Sequence, residues 1–99
     1  MELKPGTRLK SAVDTTEVVV VRPGSGDVDV RCGGVPMGAE AGEGGGPAAG
    51  FDGGTQVGKR YEDVESGVEL LCTKPGPGSL SIGERVIPLK QAKALPSSD

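Results

Sequence analysis

Two cysteines, Cys32 and Cys72, are the residues best suited to chemistry in this chain, because it contains no histidine. A thiolate serves as a nucleophile and as a metal ligand, but it forms near neutral pH only beside a cation. Arg31 is adjacent to Cys32, yet strand alternation points it to the opposite face. Lys74 follows Cys72 by two residues and would share its face. Cys72 is therefore the better candidate for a thiol-dependent redox or catalytic role.

Acid–base catalysis has few candidates in this sequence. Without histidine there is no side chain that ordinarily titrates near pH 7, and no Cys–His or Ser–His pair. The acids Glu62 and Asp63, and the acids Glu40 and Glu43, lie in polar stretches. Such acids are usually solvated, whereas a carboxylate needs burial to act as an acid catalyst. We therefore predict that the protein is not an enzyme.

Composition limits the remaining classes of function. The chain has 99 residues, a net charge of −3 and a pI near 4.9, which predicts one small domain over 1–99. Lys59–Arg60 is the longest basic run, and few aromatic residues are present, so we expect no nucleic-acid partner. The longest apolar run, Val18–Val21, is too short to cross a bilayer, and residues 1–10 have no apolar signal core. We expect a cytoplasmic protein with no membrane partner, and free cysteines in that reducing compartment.

The fold is predicted to be all-β. Valine favours strands, and 18 glycines with 8 prolines divide the chain into short elements. We expect five to seven short antiparallel strands, arranged as a barrel or as two packed hairpins. Residues 16–32 are predicted to form one β-hairpin around Gly24 and Gly26. Later strands are predicted at 68–74, 80–82 and 85–89.

Two segments are predicted to be flexible. Residues 38–54 hold eight glycines in seventeen positions and little that could pack, which is typical of a long flexible loop. The alternative is a mobile lid or a partner-binding loop anchored by Phe51. The tail at 91–99 is polar and is expected to fray.

A weak internal echo links "GDVDVRCGGVP" with "SGVELLCTKPG". In each segment a valine follows a turn, an acid follows the valine, and a cysteine lies four residues after the valine. The offset of forty residues would make Cys32 and Cys72 equivalent positions in two similar hairpins.

The segment from Ser11 to Met37 resembles desulforedoxin and the related desulforedoxin-like domains of the rubredoxin group. Those domains have a Cys-x-x-Cys knuckle, a hairpin, and an adjacent cysteine pair followed by glycine and methionine. The resemblance implies a small β fold, one iron held by four thiolates, electron transfer and frequent dimers. Cys32 matches the first cysteine of the adjacent pair, and Gly33 stands in place of the second. Ser11 and Asp14 stand where the knuckle cysteines would be.

The missing ligands weaken the metal site that this resemblance implies. Four thiolates form a tetrahedral site for iron or zinc, and Cys32 alone cannot. If Cys72 came close, Asp14, Cys32 and Cys72 would form a zinc or iron site with one open position. The alternative is a scaffold with no cofactor, in which both cysteines are small buried apolar residues.

We therefore expect a non-catalytic accessory or protein-interaction module, a monomer or homodimer, that docks on a larger enzyme or complex. Small size, an acidic surface and the absence of a catalytic set favour this interpretation. An iron- or zinc-containing electron carrier and a thiol-dependent redox protein using Cys72 are the alternatives.

Overall fold

The computed structural model describes residues 3–24, 27–40, 42 and 44–90. Within them the chain forms eight antiparallel strands and no helix, which confirms the predicted all-β class. The strands are β1 (Arg8–Lys10), β2 (Glu17–Pro23), β3 (Val30–Cys32), β4 (Val35–Pro36), β5 (Arg60–Asp63), β6 (Val68–Lys74), β7 (Leu80–Ile82) and β8 (Arg85–Val86). The number exceeds the predicted five to seven because β1 and β4 are too short to show a clear alternation. The predicted tail at 91–99 lies outside the described residues.

The strands form two sheets with the core between them. The first sheet has the order β1-β2-β6-β5 and the second the order β4-β3-β7-β8. Single backbone bridges join the sheets at both sides, from Lys10 to Gly38 and from Tyr61 to Leu89. In the described part of the chain, no helix has the length and apolar character to cross a membrane. The largest fully buried apolar side chains are Val18, Val20, Val30, Val68, Leu70 and Leu80.

The predicted hairpin at residues 16–32 is wrong, because β2 and β3 belong to different sheets. β2 instead pairs through Val18–Val20 with Leu70–Cys72 of β6. The turn signals at Pro23 and Gly24 specify a change of direction, but not the sheet to which the chain returns. The long, apolar β6 covers β2 better than the short β3 could, so the chain crosses between sheets after β2.

The fold consists of two copies of one four-strand unit. Strands β1–β4 form the first half and β5–β8 the second, and the β2·β6 and β3·β7 pairs join the halves. Hydrogen bonds repeat between them: Gly6 N donates to Val20 O at 2.8 Å, and Gly58 N donates to Cys72 O at 2.9 Å. The antiparallel joining strands make the relationship an approximate two-fold rotation.

Counterpart residues have a constant spacing within each sheet. In the first sheet, each residue of the second half lies 52 positions after its counterpart in the first half. Val21 and Thr73 are one such pair, and each is the unpaired residue of a β-bulge in the β2·β6 ladder. In the second sheet the spacing is 50, as for Met37 and Ile87, whose N–H groups each donate a 2.9 Å hydrogen bond to the strand before them. A loop shortened by two residues in the second half accounts for the difference.

The forty-residue echo in the sequence is therefore wrong as a structural repeat. The counterpart of Cys32 is Ile82, and the counterpart of Cys72 is Val20. Each cysteine lies in a different sheet and matches an aliphatic residue in the other half. The echo arose because turn, valine and acid recur at many strand starts in a glycine-rich β chain.

The described residues of the glycine-rich segment 38–54 contact the first half and, near its end, also Ser79 of the second half. Ala48 N donates to Gly33 O at 2.8 Å, and Phe51 is half-buried beside Gly34. Its flexibility stays a prediction, since hydrogen bonds describe placement rather than motion. Further backbone donors to the turn after β1 are Gly42, Gly44 and Gly46.

Candidate functional site

The predicted metal ligand Asp14 lies at the turn between β1 and β2, together with Ser11, which stands at the other knuckle position. Ser11 Oγ accepts hydrogen bonds from Val13 N at 3.1 Å and Asp14 N at 3.2 Å. The Asp14 carboxylate in turn accepts from Thr16 N at 2.9 Å through Oδ1. Side-chain oxygens thus satisfy the backbone N–H groups that a tight turn leaves unpaired.

Strand β3 and the turn before β7 complete this site. Cys32 Sγ lies 3.8 Å from Asp14 Oδ1, and Gly78 N donates to Asp14 Oδ2 at 2.6 Å. A Cβ atom on Gly78 would lie 2.6 Å from Oδ2 and 3.0 Å from Cys32 Sγ, so this approach requires glycine. We call Ser11, Asp14, Thr16, Cys32 and Gly78 the Asp14 corner.

The charge state of the Asp14 corner follows from its surroundings. Burial raises the pKa of the Cys32 thiol, and the nearby Asp14 charge acts in the same direction. Partial burial alone would raise the pKa of Asp14, but hydrogen bonds from the backbone of Thr16 and Gly78 lower it below its usual value. At neutral pH the corner therefore holds an ionised carboxylate facing a protonated thiol.

Cys72 lies elsewhere, on the buried face of β6, and its thiol donates to Lys74 O at 3.1 Å. Burial raises its pKa, so the predicted activation of Cys72 by the Lys74 ammonium group is wrong. The bulge at Thr73 interrupts the strand alternation and turns Lys74 outward. There the ammonium group pairs with Glu17 at 3.2 Å.

The structure brings Asp14 and Cys32 together but does not group Cys72 with them. Within the described residues, no three His, Cys, Asp or Glu side chains are placed so that they could hold a metal ion.

The Asp14 corner does not fit the four-thiolate site implied by the desulforedoxin resemblance. It offers one thiol, and the Asp14 oxygens already accept two backbone hydrogen bonds. Gly33 also lacks room for a second adjacent cysteine. A Cβ atom there would lie 2.6 Å from Val13 Cγ2 and 3.0 Å from Pro47 Cα, so the glycine-rich segment fills that space.

The counterpart of this corner in the second half is closed by an arginine. Ser66 N and Oγ donate to Asp63 Oδ2 at 3.2 and 2.6 Å. Arg85 donates from Nε to Oδ1 at 3.0 Å and from Nη2 to Oδ2 at 2.7 Å. This two-point hydrogen bonding lowers the pKa of Asp63 to about 2. The sequence analysis missed this site and its Arg85. The signal available in the sequence is that Asp63-x-x-Ser66 has the same spacing as Ser11-x-x-Asp14.

Glu69 is a second buried charge that sequence analysis missed. Its side chain is 1% exposed, and Lys90 Nζ donates to Oε1 at 2.9 Å. Arg60 and Arg22 approach it at 3.4 and 3.9 Å, and the Lys90 hydrogen bond is the largest cause of its lowered pKa. Strand position alone places Glu69 on the outer face, so its burial depends on long cationic side chains from distant elements.

A cavity of about 430 Å³ is lined by residues of the Asp14 corner and by Gly42 and Gly44 of the glycine-rich segment. Its wall includes Lys10, Glu17 and Lys74, which lie side by side across β1, β2 and β6. The ion pair between Lys74 and Glu17 leaves Lys10 without an ionic partner among the described residues. The cavity is open and mainly apolar in its lining, and the charges of Lys10 and Lys74 are balanced by those of Asp14 and Glu17.

The described residues thus present two buried, protonated thiols and three buried or half-buried carboxylates with hydrogen-bond donors, Asp14, Asp63 and Glu69, none of them arranged as an activated nucleophile with its base. The features that distinguish the two halves are differences in charge and exposed apolar surface. No protein-family model, curated protein or solved structure matches this chain.

Proposed function

We propose that this protein is a non-catalytic interaction module that docks on a larger protein or complex. The supporting observation is an asymmetry between its halves. All the large hydrophobic side chains that are exposed among the described residues belong to the second half. They are Val57 at 56%, Val64 at 83%, Val86 at 47% and Leu89 at 38% exposure.

The first half shows that the fold does not require these side chains. Their counterparts in the first half, which lie 52 or 50 positions earlier, are all alanine or proline and so have smaller or cyclic side chains. They are Pro5, Ala12, Pro36 and Ala39. Scattered apolar residues on a surface are ordinary, but here one of two equivalent surfaces carries all of them. Burial against a partner gives these side chains a role that the fold does not.

Three of them lie along the side where β5 and β8 meet, and we call Val64, Val86 and Leu89 the β5–β8 face. Leu89 pairs with β5 through the bridge to Tyr61. Val64 and Val86 directly follow the ion-paired Asp63 and Arg85, respectively. Apolar side chains beside an arginine are typical of the central part of a protein interface.

The other properties expected of the protein remain part of this proposal. A cytoplasmic location agrees with two free, buried cysteines. The desulforedoxin resemblance stays a proposal about ancestry over residues 11–37, without its metal. An iron or zinc electron carrier, or a redox protein using Cys72, is less well supported, because the thiols are protonated and apart.

The test is quantitative co-purification from native cells after mild cross-linking. The tagged wild-type chain is compared with a Val64→Ser, Val86→Ser, Leu89→Ser variant. The matched control carries Pro36→Ser and Ala39→Ser, at counterparts of two of the changed positions. We expect one or more partners to be recovered with wild type and control, and at least about tenfold less with the β5–β8 variant, since interface cores dominate affinity.

The variant must keep the wild-type melting temperature within a few degrees, as exposed substitutions usually do. If recovery of every co-purified protein is the same for wild type and variant, the β5–β8 face is not a docking surface. A chain that elutes from native extract as an isolated 10.0 kDa monomer would also contradict the proposal.

A further inference from the structure

The outer edge of β5 is covered by the chain's own residues. Leu89 forms a bridge with Tyr61, and Lys90 N donates to Arg60 O at 2.8 Å. The Lys90 ammonium group then reaches Glu69 at 2.9 Å. The short extended segment Leu89–Lys90 thus covers the β5 edge of the first sheet, and its Lys90 ammonium group pairs with Glu69 on β6.

The equivalent edge of β1 lacks this cover among the described residues. Lys10 exchanges hydrogen bonds with Gly38, at 2.7 and 3.2 Å, but the chain then turns away and Gly42 N donates to Ser11 O. The backbone N–H and C=O groups of residues two positions apart on a strand point to the same side. Those of Arg8 therefore face the same edge as those of Lys10. No backbone partner for them occurs in the described part of the chain.

The charge beside this edge differs from that of its counterpart at one position, since Arg8 corresponds to the like-charged Arg60. Lys10 stands where the second half has Glu62, and Arg8 is exposed. Glu17 is already paired with Lys74 at 3.2 Å, whereas Arg8 and Lys10 have no ionic partner among the described residues. The edge therefore presents excess positive charge next to the cavity of about 430 Å³.

We infer that the β1 edge receives an extended acidic segment of a partner polypeptide. The segment pairs with the open backbone groups of Arg8, next to Gly38, which already occupies those of Lys10. Carboxylates of the segment pair with Lys10 and Arg8, which have no ionic partner among the described residues. Backbone hydrogen bonds supply affinity in such strand addition, and side-chain charge selects the partner.

This inference goes beyond the proposed function and does not rest on the β5–β8 face. The probe is a capped peptide, Val-Ile-Pro-Leu-Glu, which copies the segment 86–90 with its final lysine changed to glutamate. The comparison peptide, Val-Ile-Pro-Leu-Lys, keeps the natural charge. Neither displaces the chain's own segment at β5, because that segment is tethered and has a high effective concentration.

The peptides are titrated into the ¹⁵N-labelled full chain and followed by NMR. We expect saturable shifts at the amides of Arg8 and Lys10, and about fivefold tighter binding of the glutamate peptide. Lys10→Glu should reverse the preference, while Lys59→Glu, the same charge change at an exposed site in the second half, should leave it unchanged. Arg8→Pro removes the edge donor and should abolish strand addition by both peptides.

Shifts that map away from β1, equal binding of the two peptides, or no saturation at millimolar concentration would overturn the inference. A preference unaffected by Lys10→Glu would do the same. The Val64→Ser, Val86→Ser, Leu89→Ser variant should bind the glutamate peptide like wild type. Loss of cellular partners in that variant with peptide binding intact separates the two proposals.

Discussion

Gly6 and Gly58 occupy the same position in the two halves of this protein. Their φ angles are +84° and +78°, and each donates its N–H to the neighbouring long strand, at 2.8 and 2.9 Å. A Cβ atom at either position would meet no heavy atom within 4 Å. Backbone conformation alone, rather than packing, therefore calls for glycine at both sites.

Alanine at either glycine should destabilise the protein to the same extent. We expect Gly6→Ala and Gly58→Ala each to lower the free energy of unfolding by about 1 kcal/mol, because a non-glycine residue is strained at positive φ. Urea unfolding measures both values. Gly38→Ala, at a site with open space and no positive φ, is the control and should have a smaller effect. Clearly unequal losses for the two variants would contradict the equivalence of the halves.

Thr16 carries the unsatisfied polar group of the Asp14 corner. Its Oγ1 is fully buried without a well-aligned hydrogen bond in the described residues, although it is near enough to act toward a lower pKa for both Asp14 and Cys32. Its counterpart in the second half is the buried Val68. Thr16→Val keeps the side-chain shape and removes the hydroxyl, so we expect a gain of about 1 kcal/mol in unfolding free energy. Thr7→Val, at a half-buried site in the same half, serves as control. A loss of stability on Thr16→Val would show that the hydroxyl has a partner.

The Asp63–Arg85 pair should make stability depend on acidity. The pKa of Asp63 falls from 3.8 to about 2 in the folded protein, so its contribution is complete above pH 4 and is lost as the pH falls toward 2. We expect the pair to add about 1–2 kcal/mol to the free energy of unfolding, since solvent screens the half-exposed Arg85. Unfolding of wild type and Asp63→Asn between pH 2 and 6 should converge at the acid end. Asp29→Asn, which removes an exposed pair with Arg31, should give nearly parallel curves.

Both thiols should be unreactive in the folded protein. Cys32 and Cys72 are buried and their pKa values are raised, so the thiolate fraction at pH 7 is small. We expect alkylation by iodoacetamide to be at least about tenfold slower in the native protein than in guanidinium chloride. Rapid reaction of native Cys72 with an apparent pKa below 8 would revive the thiol-dependent alternative.

Zinc should not stabilise the native protein. The Asp14 carboxylate is occupied by two backbone donors, Cys32 is protonated, and Cys72 lies apart. We expect equimolar Zn²⁺ to leave the melting temperature unchanged, whereas a ligand in 100-fold excess over its dissociation constant adds about 2.7 kcal/mol. A zinc-dependent rise that disappears on Cys32→Ala would favour the predicted Asp14, Cys32 and Cys72 site.

Several local features could be predicted from the sequence. Valine-rich stretches and glycine turns identify an all-β chain, and the strands at 68–74 and 80–82 have the predicted limits. The turn at Gly83 follows from its position between short apolar runs. These features depend on residues close together in the chain, where φ preferences and alternation act directly.

The tertiary structure decided which strands pair and what each side chain meets. Residues 16–32 look like a hairpin until β6 supplies a longer apolar partner for β2. Asp14 and Cys32 meet because β1–β2 and β3 belong to facing sheets, and Glu69 is buried because Lys90 and two arginines reach it from distant elements. Pairing between strands and the burial of charge are set by contacts between distant segments, which compete for the same edges. A short stretch of sequence does not contain that competition, so the two-fold arrangement of the described strands emerges only from the assembled fold.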